Sequence, residues 1–358
     1  MFSAIVVVLA LGALAAFAAE LDREGIKSKV EDAVKARDAG ARAAAEGKAD
    51  EAKQLAETSA RLFDEARAGY ASLRAGESDD VSLLIDYADS LSATGDYDLA
   101  EKPLLRAVAI DRENAAAWLK LGQTEGQLGP SSESRAIRSL RRAAEIEPKT
   151  AVTVQANASL GAMYQQSGLY DFAREAYAKA LEQQPDHVGA TLAIAALDAR
   201  EGQMVKAKAA YDAVGEKAMQ YASFVERTLG MALADFDQSR RLLEDTAEMH
   251  LAYAELLARA GRLSDSYWPL NRALKLDGTN YVAWNLMGSV LRTMGNLSAA
   301  RNAFEKSLAL NADQPRTRDA IADVDQALAA SGAQPPDSSP QSTAVPETSP
   351  PADPSLSP

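Results

Sequence analysis

The residues best suited to chemistry are few. GQTEGQLG places Gly122, Gly126 and Gly129 close together, as in a loop whose backbone N–H groups cradle a phosphate. That chemistry needs a preceding strand and a following Lys-Ser/Thr, and neither is present, so packing accounts better for these glycines. Histidine occurs twice, at His187 and His250, and cysteine never. With no second His or Cys near either, a zinc site lacks ligands, and both imidazoles read as structural. Carboxylates are plentiful, yet Glu182, Asp186 and their like follow solvated helix faces and form no acid pair in one pocket. There is no GxSxG nucleophile motif and no HExxH metal motif. The chain reads as a non-enzyme that needs no cofactor and no metal.

The elements that would position any site are helical. Of 358 residues 47% are hydrophobic and only 6% aromatic. Alanine is heavily used and β-branched runs are scarce beyond the first ten residues, a balance that favours helices. The net charge of −13 leaves no basic excess to neutralise phosphates, which argues against nucleic acid as a partner. The absence of cysteine excludes disulfides and thiolate chemistry and leaves the compartment open.

The two ends differ from the middle. Phe2 to Ala19 carries no charge, enough for an apolar helix of ~27 Å, close to a bilayer core. Two readings stand for residues 1–19. Ala16-Phe17-Ala18 fits the small-x-small pattern ahead of a signal-peptidase cut, although the n-region has no Lys or Arg. Alternatively the segment is a retained anchor, with Arg23, Lys27, Lys29, Lys35 and Arg37 holding the body on the cytoplasmic side. Either way membrane targeting or export is expected. Residues 331–358 hold eight of the fourteen prolines and no Lys or Arg; such a segment buries too little to repay ordering and is expected to be disordered.

Between them a spacing repeats. Gly161, Gly168, Ala173, Tyr177, Ala180 and Pro185 define it, and Gly288, Gly295, Ala300, Phe304, Ser307 repeat it. Further copies start at Ala88, Gly122, Ala195 and Ala254. The first small residue and the later Ala allow two antiparallel helices to cross closely, and the second Gly ends the first helix at positive φ. Pro103 and Pro269 are expected near the first turn of their second helices, where a missing N–H costs least.

Trp118-x₂-Leu121-Gly122 and Trp284-x₂-Met287-Gly288, each followed by Ala-x₃-large, resemble the tetratricopeptide repeat. Repeats starting near 81, 115, 154, 188, 247 and 281 give three intervals of 34 residues, that family's period. The resemblance implies an all-α, right-handed α-solenoid of helix pairs. Residues 20–80 would form a helical N-terminal region with a divergent repeat marked by Gly40, Gly47 and Ala52. Residues 81–217 would be a block of repeats, 218–246 a degenerate helical joint, 247–314 a further pair of repeats, and 315–330 a capping helix that covers the last apolar face.

In that family the first helix of each repeat lines a channel for peptides or helices. The resemblance places Ile85, Asp89, Leu119, Gln123, Ala158, Ala162 and Gln165 there, followed by Leu192, Ala196, Leu251, Glu255, Asn285, Ser289 and Arg292. Small apolar residues in the middle would suit an apolar helix or extended segment, although some of these alanines would equally serve to tighten the superhelix. The Lys/Asn clamp with which chaperone-binding members grip a C-terminal carboxylate is missing: Ile85, Asp89 and Lys120 occupy its place. The function expected is a scaffold that binds protein partners and helps assemble or regulate a membrane or cell-envelope complex. The alternative is an exported accessory subunit that binds polysaccharide or lipid.

Overall fold

The computed structural model describes residues 22–239 and 244–330. The readings of residues 1–19 as signal or anchor and of 331–358 as a disordered tail lie outside the described residues. Those residues form sixteen α-helices with no strand among them, and the chain divides into two compact units at Pro185/Asp186.

The first unit opens with a long hairpin, α1 (Arg23–Ala45) and α2 (Ala49–Ser72). Ile26 is fully buried there beneath Ala66 and Tyr70. A Cβ on Gly69 would come within 2.6 Å of Ile26, so only glycine admits the crossing. Three pairs follow: α3 (Val81–Ala93) with α4 (Tyr97–Ile110), α5 (Ala115–Gln127) with α6 (Glu133–Ile146), and α7 (Ala151–Gln166) with α8 (Tyr170–Gln183). They are pairs one to three. In each the helices pack on one another, and α4 packs on α5 as α6 packs on α7.

The second unit holds pair four, α9 (Val188–Arg200) with α10 (Met204–Val214), then a lone helix α11 (Ala222–Gln238) reached through a 3₁₀ stretch at Gly215–Tyr221. Pair five is α12 (Ala247–Arg259) with α13 (Tyr267–Leu276), and pair six is α14 (Tyr281–Thr293) with α15 (Leu297–Leu310). A last helix, α16 (Pro315–Ala330), packs on α15. Its Val324 and Leu328 are buried among Trp284, Met287 and Phe304.

Local chemistry repeats with the pairs. All seven hairpins turn on a glycine at positive φ, from Gly47 (76°) to Gly295 (78°), a conformation that costs glycine little. The first helices start on side-chain caps that accept a backbone N–H: Asp80, Asn114, Thr150, Thr246 and Asn280. His187 takes that place in pair four, its Nδ1 accepting from the Ala190 N–H at 3.0 Å, which gives this histidine a capping duty.

The crossing residues behave as their sizes demand. A Cβ on Gly161 would meet the Tyr177 ring at 2.6 Å, and one on Gly288 the Phe304 ring at 2.5 Å. Where Ser266 replaces the later Ala it is fully buried, and its hydroxyl donates to the Ala254 carbonyl at 2.9 Å, so that hydroxyl is not left unpaired. The two prolines differ. Pro269 sits in the first turn of α13, behind a 3₁₀ turn at Leu263–Ser266. Pro103 instead lies inside α4, where the helix runs on unbroken. The carbonyl deprived of a donor there belongs to Leu99, which is 50% exposed, so water can satisfy it.

Candidate protein-binding face of the first helices

Residues four apart on a helix share a face, so each first helix presents two or three of the anticipated positions together. On α3, Ile85 and Asp89 are half-buried, and Asp89 pairs with Lys120 of α5 at 2.9 Å. On α5, Leu119 is buried, whereas Gln123 is half-buried and its Nε2 donates to Ser159 of α7 at 3.3 Å. The two contacts tie neighbouring first helices side by side. On α7, Ala158 is half-buried, Ala162 is exposed, and the Gln165 carbonyl accepts from the Tyr177 hydroxyl at 3.1 Å. That orients Gln165 and leaves its amide N–H groups unused by this bond.

In the second unit the same positions diverge. Leu192 and Ala196 on α9 are both fully buried, so neither is at a surface. On α12, Leu251 is half-buried and Glu255 bonds Lys208 of α10 at 3.1 Å. On α14, Asn285 donates to Gln314 at 3.2 Å and to Thr317, so it serves the junction with α16. Ser289 bonds back to the Asn285 carbonyl at 3.3 Å, and exposed Arg292 lies 3.6 Å from Asp323 of α16. The arrangement can present small apolar and amide groups to a chain laid across α7; the polar members elsewhere are largely held by neighbouring helices.

Two carboxylates depart from the expectation of solvated faces. Glu125 is 3% and Asp198 2% exposed. Each lies three residues after the small crossing residue of its helix, Gly122 or Ala195, which is the sequence signal that locates them. Ser139 donates to Glu125 at 2.7 Å and Arg135 stands 4.0 Å away, while Lys206 reaches Asp198 at 3.2 Å. Desolvation raises the Glu125 pKa above its ordinary value despite the Ser139 hydrogen bond and the Arg135 charge. Both lie between helices of one pair, away from any open surface. His250, at the position of Trp118 and Trp284, bonds Asp245 at 3.0 Å. Of the three clustered glycines, Gly122 faces Leu140, Gly129 makes the turn, and a Cβ on Gly126 would meet the Met163 sulfur at 3.0 Å. Among the described residues no group of His, Cys, Asp or Glu is placed to hold a metal, and no helix is long and apolar enough to cross a membrane.

The tetratricopeptide-repeat family model matches residues 154–187 and 281–314, which are pairs three and six. Those two stretches thus carry tetratricopeptide repeats, and the described helices are all α, most of them in pairs of that kind. Among solved structures, MamA is similar at 21% identity over 50% of this chain and 91% of that one, with a TM-score of 0.34. A tetratricopeptide repeat protein from Parabacteroides merdae gives 13% identity, 82% and 99% coverage and a TM-score of 0.38. Yeast Tom70 gives 15%, 78% and 61%, with 0.37. No curated protein matches the chain.

Proposed function

We propose that the protein is a non-catalytic scaffold that binds a protein segment across the first helices of the repeats in its first unit, with α7 at the centre of the site. The observation that carries this is the α7 surface: Ala162 exposed, with Ala158 and Gln165 half-buried beside it. Small side chains there let a partner backbone approach, and the Gln165 amide offers a donor to an extended chain or helix end. The scaffold is further proposed to serve a membrane or cell-envelope complex, reached through residues 1–19 as signal or anchor.

Cross-linked pull-down from cells of the source, wild type against Ala162→Arg, tests the site. The arginine projects from an exposed position and leaves the helix content intact by circular dichroism. Loss of the captured protein is expected, and unchanged capture by a folded variant would refute the α7 site. N-terminal sequencing of the mature chain addresses the targeting: a start near Ala19 marks a cleaved signal, a start at Met1 or Phe2 an anchor, and recovery from the soluble cytosol with Met1 intact would remove the envelope role.

A further inference from the structure

Helix α11 stands outside the alternation of pairs. Helix α10 packs directly on α12, as α4 does on α5 and α6 on α7, so the stack passes from pair four to pair five without it. Instead α11 lies against α9 and reaches α12, the first helices of two successive pairs.

It lies on the face discussed above. Leu192, Ala196 and Ala199 of α9 are all fully buried, whereas Leu251, Glu255 and Ala258 at the same positions of α12 are half-buried. Leu192 and Ala199 belong to one buried cluster with Val225, Leu229, Leu233 and Phe236 of α11. Those four residues are spaced by 4, 4 and 3 and form one apolar stripe along α11. Polar contacts fix its C-terminal end. Arg200 of α9 donates to Asp235 at 3.0 Å, Arg262 to Asp237 at 3.0 Å, and the Tyr253 hydroxyl also donates to Asp237. The outward side of α11 is polar or open, with Glu226 and Arg227 exposed and Met231 59% exposed. In form this is an amphipathic helix laid in a groove, supplied by the same chain.

We propose that the first-helix face of pair four is a binding site for an amphipathic helix, that α11 is its tethered resident, and that a partner helix of the same chemistry replaces it. The partner is defined by what α11 presents: four apolar residues at i, i+4, i+8 and i+11, with a carboxylate in the last turns to meet Arg200. Departure of α11 leaves the α10–α12 contact in place, so the repeat stack survives the exchange. Tethering keeps α11 at high effective concentration, so a free helix competes at a disadvantage until α11 is weakened.

The test uses the full chain and a labelled peptide of residues 222–238, followed by fluorescence anisotropy. Leu229→Asp with Leu233→Asp in the protein unseats α11 and leaves α9 unchanged. The folded variant should bind the peptide at least tenfold more tightly than wild type, and a peptide carrying the same two Asp substitutions should bind neither. Hydrogen exchange on the unaltered protein gives a second reading. Amides of 225–236 should exchange at least tenfold faster than those of α9, α10 and α12, as local opening of α11 alone requires. Peptide affinity equal for variant and wild type, or protection of α11 equal to that of α9, overturns the proposal; should the variant fail to fold, the exchange result alone decides. The probe is the chain's own helix, so the outcome is independent of the Ala162 test of the scaffold reading.

Discussion

Gln314 joins the last pair to α16, and replacing it with methionine should loosen that helix without changing side-chain volume much. Its Nε2 donates to the carbonyls of Ser307 at 3.0 Å and Asn311 at 2.7 Å. Its Oε1 accepts from Asn285 at 3.2 Å, Ser307 at 3.1 Å and Thr317 at 3.2 Å. A hydrogen bond contributes about 0.5–1.5 kcal/mol net. Three of these share one oxygen, so the set counts as roughly three independent bonds and the loss comes to about 3 kcal/mol. No orphan penalty is added for Ser307 or Asn285, because Ser307 still donates to the Tyr281 carbonyl at 2.8 Å and Asn285 to Thr317. Trp284 shares its buried cluster with Val324 and Leu328 of α16, so in a Trp118→Phe/Trp268→Phe background its fluorescence reports this junction. Urea unfolding should show a separate early transition, or a midpoint lowered by that free energy over m. A loss under about 1 kcal/mol would refute the reasoning and mean that apolar contacts alone hold α16.

Two glycines of similar helical setting should respond in opposite directions. Gly161→Val drives a branched side chain into the buried Tyr177 ring, 2.6 Å from the new Cβ, and should cost about 1–3 kcal/mol in a thermal melt. Gly126→Ala meets only the flexible Met163 sulfur at 3.0 Å and should stabilise by about 0.5–1 kcal/mol through helix propensity. Asp245 is held at a pKa of about 2, first by the Arg272 hydrogen bond and then by His250. Since the folded pKa lies below the unfolded value, this contact stabilises above pH ~4 and is lost as pH falls towards 2. Carboxyl NMR should place its midpoint there, and Arg272→Ala should move it up; an unmoved midpoint would assign the depression to another cause.

Spacing alone located six pairs, because the crossing needs a small residue on each helix and the turn needs a glycine such as Gly168 at φ 72°. These demands act within about 25 residues of chain and leave their mark on residue type. Placement across longer distances leaves less. The sequence FVERTLGMALADF shows that α11 is a helix, but its apolar stripe is satisfied equally by a second helix of its own or by α9. The burial of Leu192 and Ala196 therefore could not be read beforehand. The same holds for Asn285: its type suits a binding surface, and only the position of Gln314 and Thr317 shows that it serves α16. Ala162 is exposed, and among the described residues of its unit no inserted helix covers α7.

The buried carboxylates bear on how the chain avoids assembling wrongly. Neighbouring hairpins of similar sequence can exchange second helices during folding, a characteristic failure of repeat proteins. In pair two Glu125 faces Ser139 and Arg135. In pair three the matching positions pack Tyr164 against Phe172, with ring centroids 5.6 Å apart. If α5 took α8 in place of α6, Glu125 would lie against Phe172 and Ala176, with neither a hydroxyl nor a guanidinium to meet it. An unpaired buried charge costs about 3–5 kcal/mol, which weighs against that exchange. Asp198 with Lys206 sets the same condition on pair four. Charge hidden between two helices thus weighs against a wrong partner for α5 and for α9, the two first helices that carry a buried carboxylate.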